Sequence, residues 1–147
     1  EDFFCVAVKE TDKDKSAKTV KSRFVFMNKT SVTTQYIFDF TESVKAVSHY
    51  YYKGTNALKY LVEGTYDLID PFVFTDCVYC DLLYVPYADS NKGGFELWVS
   101  GKHIENIPPH CNFLLEYFMG KDREMRVVYQ GHDKCKQVAD KIKQSPK

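Results

Sequence analysis

Runs of alternating apolar and polar residues recur along most of this chain. A period of two places successive side chains on opposite faces, which suits strands and little else. Eight runs carry the pattern: Phe3–Val8, Thr19–Met27, Thr34–Phe40, Glu42–Tyr52, Ala57–Val62, Phe72–Thr75, Cys80–Val85 and Phe95–Ser100. In the second, Val20, Ser22, Phe24 and Phe26 share a face, and in the third Tyr36, Phe38 and Phe40 do. Lys53-Gly54-Thr55-Asn56 reads as the turn of a hairpin between the fourth and fifth runs, and Asp89–Gly94 joins the last two. The abundance of Tyr and Phe, eleven each, supports strands. One segment breaks the rhythm. Ile107–Gly120 predicts a helix, with Pro108 and Pro109 in its first turn, Gly120 just past its end, and Phe113, Leu114, Tyr117 and Phe118 on one face. An all-β fold is expected, a small antiparallel barrel with a helix on its side.

The 147 residues make one domain by length. Lys+Arg and Asp+Glu are 20 each, so the net charge is zero, which argues against nucleic acid or an anionic membrane as partner. Lys9–Lys18 reads as a charged loop, and 136–147 as a lysine-rich, poorly ordered tail after a domain over 1–135. The five cysteines, Cys5, Cys77, Cys80, Cys111 and Cys135, are spread along the chain. That spread suggests disulfides, an oxidising compartment and one cysteine left over. A start at Glu1 without Met or a signal peptide suggests a processed or truncated product.

The strand Phe95-Glu96-Leu97-Trp98-Val99 is the most informative. Phe95, Leu97 and Val99 make an ordinary apolar face, whereas Glu96 and the single Trp98 share the other. Either that face is solvated, or Glu96 has a partner, since an unpaired buried charge is costly. Asp81 shares a face with Leu83 and Val85, Glu42 opens an apolar strand face, and Tyr60 lies with Leu58 and Val62. Acids and rings converging inside a barrel would make a site for an organic cation, with each ring face adding roughly 0.5–2 kcal/mol. Cys77-Val78-Tyr79-Cys80 is more readily structural than a zinc or redox motif, because no second close pair of cysteines accompanies it. His49, His103, His110 and His132 are scattered, so no metal site is expected. No nucleophile elbow, phosphate loop or dinucleotide motif occurs, so neither catalysis nor a cofactor is expected. Asn28-Lys29-Thr30 is an N-glycosylation acceptor.

From Cys5 to about Cys135 the chain resembles the lipocalins of tick saliva, especially the histamine-binding proteins. The resemblance is carried by Arg23–Asn28, Thr41–Val47, Asn56–Tyr60, Cys80–Pro86, Gly94–Trp98 and Asn106–Cys111, in that order. It implies an eight-stranded up-and-down barrel with amine sites inside. Glu42, Tyr60, Asp81, Glu96 and Trp98 would contact the ligand, and Cys5–Cys135 and Cys80–Cys111 would be the disulfides, with Cys77 outside both. The family carries a helix and a first strand before the position of Cys5, with further acidic and aromatic contacts, which this chain is expected to lack. A family aromatic contact near Leu68 is aliphatic here.

Together these readings predict a secreted, monomeric, non-enzymatic protein that sequesters histamine, or serotonin, and so blunts a host's inflammation. A rival is a carrier of a fatty acid or eicosanoid, which would want a cationic anchor. The chain has only Arg23, Arg123 and Arg126 besides its lysines, and Arg23 lies on the face opposite Phe24 and Phe26. A second rival is a lipocalin that binds a host protein through its loops. The test between them is whether Glu42, Asp81 and Glu96 converge.

Overall fold

The computed structural model describes residues 3–29, 35–62 and 68–145. In chain order the elements are β1 (Phe3–Asp14), β2 (Thr19–Lys29), β3 (Gln35–Val47), β4 (Ala57–Tyr60), β5 (Leu68–Thr75), β6 (Cys80–Val85), the single irregular turn α1 (Ala88–Asn91), β7 (Gly94–Val99), α2 (Pro109–Met119) and α3 (Lys136–Lys143). The strands are mostly antiparallel and each hydrogen-bonds to its neighbour in sequence. This is an all-β, lipocalin-like fold. The chain divides into two units, one of residues 1–44 with 126–147, the other of 45–125. Among the described residues no helix is long and apolar enough to cross a membrane.

In the first unit β1 and β2 form a long hairpin, paired from Phe3↔Asn28 to Asp14↔Thr19. Lys9–Asp14 is therefore strand, not the expected loop. Its backbone finds partners in β2 while its charged side chains stay in water, and charge alone does not prevent pairing. The turn closes where Asp14 Oδ1 accepts the Ser16 and Ala17 N–H groups at 2.9 and 3.0 Å. The core of this unit is Cys5, Val25, Met27, Cys135 and Val138, with Tyr129 and Ile142 against it.

That core corrects a further expectation. Residues 136–143 are not a disordered end but α3, which buries Val138 and Ala139. The apolar residues Val138 and Ile142, four apart, lie one turn from each other on a helix, and the lysines between them point to solvent. The face of β2 that α3 covers is Arg23, Val25 and Met27. Phe24 and Phe26 lie on the other face, stacked on Phe40 and Phe38 at 5.5 and 5.1 Å. Arg23 tolerates burial because it is fully engaged. Its Nε and Nη2 donate to the two oxygens of Asp39 at 2.8 Å each, and Nη1 donates to the Gln144 carbonyl at 2.5 Å.

Seven strands, not eight, stand among the described residues, because β3 is continuous through Thr41 and joins two of the expected runs. It stops at Val47, before the tyrosines, so the chain turns earlier than Lys53–Asn56.

The second unit is the meander β4–β5–β6–β7 with α2 against β6 and β7. Helix α2 forms where the sequence predicts it, and Gly120 follows it at φ 77°. Its buried residues are Cys111 and Leu115, whereas Phe113, Tyr117 and Phe118 are largely exposed. The Cys111 link to β6 decides which side of the helix faces inward. The disulfides are Cys5–Cys135 and Cys80–Cys111, the pairs the resemblance implies, and Cys77 is an exposed free thiol. Gly93, at φ 82°, precedes β7, and a Cβ there would come within 2.4 Å of the Tyr84 hydroxyl.

Candidate ligand site

Strand register decides which side chains of the second unit share a face. Leu83 lies opposite Glu96, and Asp81 opposite Trp98. Phe72 lies opposite Leu83, and on the other edge of β5 Leu58 faces Asp70 and Tyr60 faces Leu68. Directly opposed residues point the same way and every second residue along a strand does too. Tyr60, Asp70, Asp81, Glu96 and Trp98 therefore project from one face. The reverse face carries Cys80, Leu82, Phe95 and Leu97. It lies against α2, through the Cys80–Cys111 bond and the Phe95–Phe118 contact at 6.1 Å. The division of Phe95–Val99 into an apolar face and a Glu96/Trp98 face is thus realised.

Asp70 is the centre of this face. It is only 2% exposed. The hydroxyls of Tyr60 and Tyr87 donate to it, yet its Oδ1 is buried without any hydrogen-bond partner among the described residues. Burial, reinforced by the nearby charge of Glu96, pushes the Asp70 carboxyl up to about 6 against the pull of the two hydroxyls. Burial also raises the phenols. Asp70 and Glu96 add to the effect at both Tyr60 and Tyr87. Glu96 is exposed along its strand, yet crowding around its carboxyl raises its pKa too, opposed by the Trp98 indole, whose Nε1 donates to Oε2 at 3.1 Å. These groups are shifted by burial and by one another, and among the described residues no cation contributes to any of them.

A buried carboxylate beside a second, exposed one, with no countercharge among the described residues, is under-compensated when ionised. A ligand ammonium or imidazolium would supply the missing charge, and the phenol and indole rings would suit its apolar body.

Of the residues singled out from sequence, Tyr60, Glu96 and Trp98 belong to this cluster, and half-buried Asp81 lies across from Trp98. Glu42 is half-buried on β3, in the first unit. Asp70 and Tyr87 are additions. Asp70 carries the signal used for Asp81, an acid alternating with Leu68 and Phe72, but its strand begins earlier than the sequence suggests. Tyr87 follows β6 in no periodic run, and only the folded chain brings it to Asp70. Asn28 lies half-buried at the end of β2 opposite Phe3, and Thr30 of its acceptor triplet falls outside the described residues.

A second group, Asp76, Cys80, His110 and Cys111, places four potential metal-ligand atoms within 4.8 Å of one another. Both sulfurs are consumed in the disulfide, leaving an Asp76–His110 pair at 2.7 Å. Burial opposes the Asp76 charge, but the His110 bond and the N–H groups of Val78, Tyr79 and Cys80 hold its carboxyl far below the usual range. This is a structural clamp at the start of β6.

On a lipocalin-like fold the second unit thus displays a cluster that is acidic and aromatic and, among the described residues, without a cation. The family model described as tick histamine binding protein matches residues 1–137, and the chain belongs to that family of binding proteins. It is 33% identical over 136 residues to the male-specific histamine-binding salivary protein of Rhipicephalus appendiculatus. The match covers 88% of this chain and 64% of the relative, so the chain spans just under two thirds of that protein's length.

Proposed function

We propose that this protein binds a biogenic amine, histamine first and serotonin second, on the face formed by Tyr60, Asp70, Asp81, Glu96 and Trp98, with Tyr87 hydrogen-bonded to Asp70. Glu42 of the first unit is proposed as an amine contact on the family resemblance alone, apart from this face. The observation that carries it is Asp70 with an unpartnered buried Oδ1 beside Glu96 and no cation. The ligand ammonium pairs with these carboxylates, and each charge-assisted hydrogen bond contributes roughly 1.5–3 kcal/mol. Trp98 and Tyr60 add ring contact of roughly 0.5–2 kcal/mol each. No covalent step is needed. Secreted into saliva as a monomer, the protein would hold free amine away from host receptors and so suppress inflammation.

An anionic cargo is less well served. Arg23, the buried arginine, is committed to Asp39 and Gln144. Titration calorimetry with histamine, serotonin and a fatty acid tests the reading. Saturable binding of an amine and none of the fatty acid is expected, and the reverse order would overturn it.

A further inference from the structure

Between β3 and β4 the chain presents Tyr50, Tyr51 and Tyr52, which are 63%, 107% and 63% exposed. The Tyr52 N–H donates to the His49 carbonyl at 3.2 Å, closing a four-residue turn. Its two central residues, Tyr50 and Tyr51, have φ of 54° and 59°. Asn-Gly makes such a left-handed turn at little cost, whereas two aromatic residues there are strained.

The strain is held by a dense frame. The His49 N–H donates to Asn56 Oδ1 at 2.8 Å, Asn56 Nδ2 donates back to the His49 carbonyl at 3.2 Å, and the Asn56 N–H donates to the Val47 carbonyl at 3.0 Å. The Ser48 hydroxyl donates to the Tyr52 carbonyl, and the His49 ring lies 4.1 Å from that of Tyr50. None of the hydrogen bonds needs a tyrosine side chain, and only Tyr50 has a ring contact in the frame, so folding alone does not account for the three rings. Rigidly mounted tyrosines offer large amphipathic contact area at low entropic cost. The flanking charges have one sign. From Lys45 to Tyr60 the charged residues are Lys45, Lys53 and Lys59, with no acid among them, and Lys45 and Lys53 are exposed.

We propose that the tyrosine turn is a docking tip for a partner protein whose acidic surface offers recesses for aromatic rings. This goes beyond amine binding and stands without it, since none of these residues belongs to the Asp70 cluster.

The test exploits the turn itself. The double substitution Tyr50→Asn/Tyr51→Gly keeps the backbone and removes the rings. The 147-residue chain, tagged at one end, is applied to an array of purified extracellular proteins of known sequence. Each acidic binder is then remeasured by biolayer interferometry at low and high salt. At least one binder should lose about tenfold or more in affinity with the double variant, and weaken with Lys53→Glu and with salt, while the variant melts at or above the parent temperature. No binder sensitive to the double substitution would overturn the proposal. So would tyrosine-dependent binding confined to phosphatidylserine vesicles, or tyrosine-dependent self-association by light scattering.

Discussion

Trp98 Nε1 donates to Glu96 Oε2 at 3.1 Å, two residues away on the same face of β7. The bond turns one pleat repeat into a fixed pair. It aims the carboxylate, and it opposes the rise in the Glu96 pKa that burial causes. An ammonium placed there meets charge from one residue and a ring face from the next.

Glu96→Gln keeps the shape and the acceptor for Trp98 but removes the charge. Affinity for histamine by titration calorimetry should fall about ten- to a hundredfold, and Trp98→Ala should weaken it through lost ring contact. Unchanged binding in both variants would place the amine elsewhere.

Asp70 should make stability and the proposed amine binding depend on pH in opposite senses. Its carboxyl is raised from the ordinary 3.8 to about 6 in the folded protein. Across that window the folded state holds the proton more tightly than the unfolded chain, so stability falls as pH rises. Asp70→Asn should therefore melt roughly a few degrees above the parent at pH 7 and level with it at pH 4. A bound cation favours the ionised carboxylate, so affinity should decline as pH falls through about 6. Tryptamine, which has no imidazole to titrate, is the probe for the calorimetric series.

Arg23 ties β2 to β3 and α3 through Asp39 and Gln144. Asp39→Ala leaves a buried guanidinium without its counter-ion and should cost about 3–5 kcal/mol in urea denaturation. Replacing both partners, Arg23→Met with Asp39→Leu, should cost less. Equal losses would mean that the packing, not the ion pair, matters.

The disulfides differ in the chain they close. Cys5–Cys135 spans 130 residues and Cys80–Cys111 spans 31. In the loop-entropy account the first contributes about 5 kcal/mol and the second about 4. Paired alanine substitutions should rank in that order in urea. A thiol titration of the native protein should count one group, lost in Cys77→Ser.

Tyr60, Glu96 and Trp98 were readable before any fold was known, because in a strand parity alone assigns a side chain to a face. The helix over 109–119 was readable from its prolines and glycine for a similar reason, since capping is local chemistry. Parity does not say which face is covered. At β2 it separates Phe24 and Phe26 from Arg23, Val25 and Met27, but α3 arrives from more than a hundred residues away to bury the second set. Asp39 then makes the buried arginine tolerable. The lysine-rich end hid that helix, because two apolar residues a turn apart are a weak signal until Cys135 anchors them to Cys5. Asp70 became central only when the fold placed the Tyr60 and Tyr87 hydroxyls on one of its oxygens and left the other dry. The sequence by itself determined the alternation of faces and the residue types that each face offers. Burial, partners and shifted protonation depend on which distant segments meet, and only the tertiary structure decided those.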